Sequence, residues 1–473
     1  MLTIGKCFEA LTGQHPEFSG PIVTGAKVDS RQIQPGNIFV AMAGESTDGH
    51  LYLENAFRNG AVAALIDKEI QTGIQVIDLT RSDYDLNQID FAAPICIKTE
   101  SSIKALQRIA KFWRNQLSVD VIGITGSVGK STTKELTADV LRERFITMKN
   151  PGNLNNEIGL PLTLLELNEE HQLAVLEMGL YVPGEIKFLC DIASPRIGVI
   201  TNIGTVHAER AGSQEALAKG KAELIQALPP APKGIAILNY DDPFVKPMAE
   251  LTRAKVFYYG LSNKADLWAD QIEGMGLEGI RFCLHFKNDA LHLRVPQIGR
   301  HSVHTVLRAV SVGLALGMAW GEIVYGLQSS KNQIRLNTVY SKKGSLILDD
   351  TYNASPESTL AALNLLHELE GRKIAVLGDM KELGPYEKQG HEKVGMRAAD
   401  ICDELITYGD LSAMIAGAAQ QAGLSGRHIH HFTDMDELIA FVDQQMTGKD
   451  VVLVKGSNSM NMDRIVSALE GSR

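Results

Sequence analysis

No stretch of the 473 residues approaches a run of about 18 apolar side chains, so nothing in the sequence is built to cross a bilayer as a helix. Cysteine is scarce. The five thiols, Cys7, Cys96, Cys190, Cys283 and Cys402, are scattered with no CxxC or other ligand-like spacing, which excludes a disulfide framework and a zinc knuckle. No Lys/Arg-rich block occurs and the net charge is −10, so binding to nucleic acid or to an anionic membrane by counterion release has no basis. A local basic cleft for a small phosphorylated molecule stays open. The first residues, MLTIGKCFEALTGQHP, lack a basic segment followed by a long apolar one, and the chain reads as cytoplasmic. Short-period repeats and low-complexity linkers are absent as well.

The composition that remains is globular: 44% hydrophobic and 22% charged residues can fill a core, which a disordered chain cannot. At about 150 residues per domain, the length suggests two to four domains, and the hydrophobic pattern divides into three. Residues 1–100 hold short runs such as NIFVAMAG (37–44), GAVAALI (60–66) and PICIKT (94–99), the elements of a small α/β unit, with a polar loop or edge at 83–90. Residues 101–328 begin with a helical pattern at 102–117 and then alternate strand-like runs (119–124, 173–178, 197–203, 234–238, 256–259) with helical stretches. That is the logic of a mainly parallel, buried sheet. Residues 329–473 repeat it with runs at 345–350, 373–379, 404–410 and 450–456.

The strongest local motif is VIGITGSVGKSTT, residues 121–133, where a β-branched strand enters a glycine-rich loop and then the helix-like KELTADVLRERF. Glycines allow the loop's backbone N–H groups to face an anion, and the helix adds its positive N-terminus. Lys130 supplies a point charge and Ser131 a hydroxyl for Mg²⁺. Thr125, Gly126, Ser127, Val128, Gly129, Lys130, Ser131 and Thr132 are therefore the candidate nucleotide-binding residues. The strict phosphate-loop pattern asks for glycine at position 124, but Ile124 stands there and the glycine is Gly123.

That departure, spelled GITGSVGKST, resembles the ATP loop of the Mur ligase family, whose members build the peptide of bacterial cell-wall precursors. Further segments match along essentially the whole chain. Glu177, ending LAVLE, matches a Mg²⁺ ligand, and His207 in TNIGTVHAER matches a metal-site histidine. ALAKGKAELI resembles the segment of a carbamylated lysine, with Lys221 in register and Lys219 as the alternative. Once N-carboxylated, that lysine becomes an anionic ligand for a second Mg²⁺. GRHSVHTVLRA resembles a segment beside the nucleotide, with Ser302 and Thr305 where the family has asparagines. Arg335 matches an arginine near the γ-phosphate. In LDDTYNASPES, Asp350 falls near the nucleotide and Asn353 near the incoming amine. Asn153, Asn155 and Asn156 in NPGNLNNEIGLPLTLL complete the expected substrate contacts. Ser30, Arg31, Asp48 and His50 in VDSRQIQPGNIFVAMAGESTDGH are expected at the UDP end of the substrate, Arg31 because its fork suits phosphate.

The resemblance implies a three-domain α/β enzyme: a small α/β N-terminal domain, a central phosphate-loop ATPase domain and a Rossmann-like C-terminal domain that closes over it. Within the family, DDTYNASPES is most similar to the branch that uses ATP to join D-alanyl-D-alanine to UDP-N-acetylmuramoyl-tripeptide through an acyl phosphate. Lys130, Lys221, His207 and Arg335 are then the catalytic set, two Mg²⁺ ions the cofactors, and a monomer the working form. The alternatives are another Mur-type ligase (the third-residue-adding enzyme or folylpolyglutamate synthase), a non-catalytic nucleotide-binding scaffold, and a GTPase-like switch suggested by Asn263-Lys-Ala-Asp266. No Asp-x-x-Gly element follows the phosphate loop, which argues against the switch.

Overall fold

The computed structural model describes residues 1–16, 19–44, 47–71, 73–81, 84, 90, 93–205, 209, 212–330 and 337–471. Three sheets organise them, each built where the sequence carries short, continuous apolar runs. The first has five parallel strands in the order Gly25–Lys27, Asn37–Val40, Ala63–Ile66, Ile95–Lys98, Gln75–Asp78. The helix Ser102–Gln116 follows it. Ser101 caps that helix through its side chain, and Leu106, Ile109 and Trp113 lie on its buried face. Trp113 Nε1 donates to the Leu167 carbonyl at 2.8 Å, and Arg114 donates to the Ala193 carbonyl, so this helix ties the first sheet to the second.

The central sheet has nine strands. Ile235–Asn239, Ile197–Ile200, Asp120–Thr125 and Leu173–Glu177 are parallel and buried on both faces, and Thr147–Lys149 continues them in parallel as the edge strand. One edge departs from the sequence expectation of alternating βα units. Leu267–Gly274, Ile280–Phe286 and Asp289–Val295 form an antiparallel meander. The last turn of the meander is the tight Lys287-Asn288 pair, with Lys287 at φ +54°, and no helical crossover fits in so short a connection. The third sheet runs Asn337–Tyr340, Leu346–Asp350, Asp450–Lys455, Arg372–Gly378, Glu404–Tyr408, Ile429–Phe432, parallel except for its first pair.

All five cysteines are buried and unpaired. Among the described residues, no helix is long and apolar enough to cross a membrane. Asn263 to Asp266 lie in the short connection before Leu267–Gly274, where Asp266 accepts from the Tyr258 N–H at 2.7 Å as an ordinary turn residue.

Candidate active site

In the central sheet, Asp120–Thr125 lies between Leu173–Glu177 and Ile197–Ile200, so the C-terminal ends of three adjacent parallel strands deliver the glycine-rich loop, Glu177 and Asn202 to one place. The loop is held by Asn202. Its Nδ2 donates to the Val128 carbonyl at 3.0 Å, its Oδ1 accepts from the Val128 N–H at 3.1 Å, and its carbonyl accepts from the Ser127 N–H. Gly129 is left-handed (φ +83°) and starts the helix Lys130–Arg142, which has no side-chain cap and so leaves its first N–H groups facing the cavity. Gly126, at φ +144°, passes so close to Thr201 that a Cβ there would sit 1.8 Å from its Oγ1. Gly126→Ala is expected to cost ~1–3 kcal/mol through backbone strain alone, read as a lower urea midpoint.

Lys130 folds back on the loop, donating to the carbonyls of Gly126 (3.0 Å) and Ser127 (3.1 Å). Ser131 Oγ donates to Glu177 Oε2 at 2.5 Å, and Asn155 Nδ2 donates to Glu177 Oε1 at 2.9 Å. Glu177 is buried, and its backbone is clasped by Asn150, whose Oδ1 accepts from the Glu177 N–H. A hydroxyl and a carboxylate, both hard oxygen donors beside a phosphate loop, fit Mg²⁺.

The third domain closes the other wall. A cavity of about 450 Å³ is lined by Ser127 to Thr132, Glu177, Asn202, Ser302, Arg308, Asp350, Asn353 and Lys455. In the sequence Lys455 stands only as one residue of the strand-like run 450–456. Here it is buried, donating to Asp350 Oδ2 at 2.6 Å and to the Asn353 carbonyl at 2.8 Å, so it shapes the loop that lines this cavity together with the glycine-rich loop. Lys455→Met breaks this buried pair and is expected to cost roughly 3 kcal/mol, measurable by chemical denaturation. Ser302 lines the cavity, but its hydroxyl donates to the Ile298 carbonyl at 2.6 Å. Thr125 and Gly126 lie behind the wall, where Thr125 Oγ1 donates to the Met178 carbonyl.

A second cavity of about 460 Å³ shares Lys130, Glu177, Tyr352 and Asn353 with the first and extends past Asn153, Asn155, Asn156 and Tyr181. Lys221 is buried on the helix Gln214–Gln226 while Lys219 is exposed, and among the described residues no carboxylate pairs with Lys221. Burial, helped by the nearby Lys130 charge, pulls its pKa down to about 7. His207 and Arg335 lie outside the described residues.

The four N-terminal candidates are in the wall of neither cavity. Arg31 is exposed and paired with Asp29 at 2.7 Å. Ser30 is buried, and its carbonyl accepts from Asn59. Asp48 bonds Lys68 (2.6 Å) and His50 (2.7 Å), which hold its carboxyl well below the usual range. His50 is wedged between Asp48 and Asp67.

A glycine-rich loop at a parallel sheet's switch point, an acid-hydroxyl pair beside it and a Rossmann-like domain closing over both define a phosphate-loop nucleotide enzyme of three α/β domains. Family models match in succession: "Mur ligase family, catalytic domain" at residues 22–114, "Mur ligase middle domain" at 124–313 and "Mur ligase, glutamate ligase domain" at 334–458. A UDP-N-acetylmuramoyl-tripeptide--D-alanyl-D-alanine ligase of Bacillus subtilis is 34% identical over 96% of this chain and 95% of its own. Among solved structures, MurF from Acinetobacter baumannii superposes with a TM-score of 0.81 at 29% identity, covering 98% of both chains. A MurF ligase from Thermotoga maritima in complex with ADP superposes at 0.78 and 27% identity over 94% of this chain and 97% of that one. The chain belongs to the Mur ligase family.

Proposed function

We propose that this chain is the ATP-dependent ligase that joins D-alanyl-D-alanine to UDP-N-acetylmuramoyl-tripeptide in peptidoglycan precursor synthesis, acting in the cytoplasm as a monomer. The observation that carries the reading is the meeting of two cavities at Lys130 and Glu177, one walled by the phosphate loop and the other by polar side chains that suit a peptide. One chain supplies both walls, so no second copy is needed to complete the site.

A carboxylate is a poor electrophile, and the ligase's task is to give it a leaving group. The tripeptide's terminal carboxylate oxygen attacks the γ-phosphorus, the bond to ADP breaks, and an acyl phosphate forms. The dipeptide's amine then attacks the acyl carbon, loses a proton, and the tetrahedral species expels phosphate. Lys130 exchanges its two loop carbonyls for phosphate oxygens, and the N-terminus of the helix Lys130–Arg142 faces the same charge. Ser131 and Glu177 would hold Mg²⁺, and Lys221 as its carbamate with His207 a second one. Such ions would supply neutralisation of the negative charge gathered at the site. On the sequence resemblance, Arg335 serves the γ-phosphate, Asp350 the nucleotide, Asn353 the amine, and Ser30, Arg31, Asp48 and His50 the UDP end.

Phosphate release from ATP, measured with UDP-muramoyl-tripeptide in the presence and absence of D-alanyl-D-alanine, tests this. Release that needs both substrates and yields the pentapeptide is the expected result. Turnover independent of the dipeptide, or supported by GTP or by a folate and glutamate, would sink the proposal.

A further inference from the structure

Among the described residues, one cation at the nucleotide cavity has no counter-charge. Arg308 lies on the helix Val303–Ala315, is 4% exposed, and among the described residues makes no ion pair. Two of its nitrogens are used locally: Nε donates to the His304 carbonyl at 2.8 Å and Nη2 to Thr305 Oγ1 at 3.3 Å, while the guanidinium sits 5.8 Å from the Tyr259 ring centroid. The third nitrogen, Nη1, is buried without any hydrogen-bond partner among the described residues.

Its direction is informative. A Cβ built on Gly129 would sit 3.2 Å from Nη1, so this nitrogen lies against the last residue of the phosphate loop, at the first N–H groups of the helix Lys130–Arg142, and Arg308 lines the cavity there. A buried cation normally costs several kcal/mol unless an anion faces it, and arginine does not escape by losing its proton. Burial does weaken its hold on that proton, with Tyr259 acting the other way, but a guanidinium remains charged at any physiological pH. The loop, the helix N-terminus and Nη1 therefore converge on one point that suits a tetrahedral oxyanion.

We propose that Arg308 is a phosphate-binding residue of the nucleotide site, held in aim by Thr305 and the His304 carbonyl, and that its Nη1 donates to a phosphate oxygen of the bound nucleotide. This rests on the reading of the cavity as the ATP site. Thr305 is then a positioning residue for Arg308 and does not itself contact the base.

The test is MgADP titration calorimetry on the full chain, beside urea denaturation without nucleotide, for the wild type, Arg308→Met and Arg308→Lys. The expected result is that Arg308→Met weakens MgADP binding roughly 10- to 100-fold, the range of a lost charged hydrogen bond, while its nucleotide-free urea midpoint is unchanged or higher, because an uncompensated buried charge has gone. Arg308→Lys keeps the charge without the fork, recovers part of the affinity, and keeps the measurement open should the methionine variant not fold. An unchanged MgADP affinity, or a loss of nucleotide-free stability in both variants, overturns the proposal and leaves Arg308 as packing for Tyr259. Failure of the wild type to bind MgADP is a separate result that removes the ATP-site reading itself.

Discussion

Lys130→Ala is expected to lower kcat/KM for ATP by roughly 10²–10³-fold with little change in the urea midpoint. The two halves of that expectation have different origins. In the proposed reaction Lys130 contributes its ammonium where phosphate charge accumulates, and a preorganised donor at a transferring phosphoryl group is among the largest single effects in catalysis. The variant loses the two hydrogen bonds from Lys130 to the loop carbonyls of Gly126 and Ser127, but Asn202 and the left-handed Gly129 still hold the path of the loop. Phosphate-release kinetics checks the first half and circular dichroism in urea the second. A variant that keeps wild-type turnover would remove the phosphate-transfer role.

Lys221→Met is expected to abolish ligation to a similar degree, and the wild type should show a dependence on dissolved CO₂ that the variant lacks. N-carboxylation needs an unprotonated amine: the nitrogen lone pair attacks the carbon of CO₂, and the nitrogen loses a proton as the carbamate forms. With its pKa at about 7 and not the ordinary 10.5, Lys221 offers the free amine near neutrality. A carbamate signal after equilibration with ¹³C-bicarbonate, present in the wild type and missing from Lys221→Met, is the direct check. Full activity in CO₂-free buffer would rule the modification out. The same burial has a stability consequence with a definite sign. Between about 7 and 10.5 the unfolded chain binds the proton and the folded one does not, so in CO₂-free buffer stability falls as pH drops from 10.5 toward 7. Lys221→Met should flatten that slope.

Both predictions depend on features that differ in how openly the sequence displays them. The strand runs at 119–124, 173–178 and 197–203 could be read because parallel strands buried on both faces must be continuously apolar, and their order along the chain leads to a switch point. The loop followed from the same logic, since a strand's end is where a ligand sits, whereas Glu177 was picked out by the family resemblance. The antiparallel edge at 267–295 was less readable because it is set by a two-residue turn and not by composition. Arg308 is the clearest omission. An arginine in an amphipathic helix reads as a solvated side chain, and only the packing of Val303–Ala315 beneath the phosphate loop removes its water. Lys455 was hidden in the same way, because its partner Asp350 lies 105 residues away in the chain. In the N-terminal domain, Arg31 was singled out for its fork, and that fork is occupied by Asp29 two residues earlier, a short-range pairing that spacing alone does not reveal. Lys221 against Lys219 was a choice of register, and burial separates them.

The two cavities share a wall made of Lys130, Glu177, Tyr352 and Asn353. A single molecule carrying a nucleotide-like group at one end and a peptide carboxylate mimic at the other would span that wall and lose its translational freedom only once. The second half would then bind at the high effective concentration set by a short tether, so such a bisubstrate inhibitor should bind this enzyme 10²–10⁴-fold more tightly than either half alone, provided the linker matches the distance across Lys130.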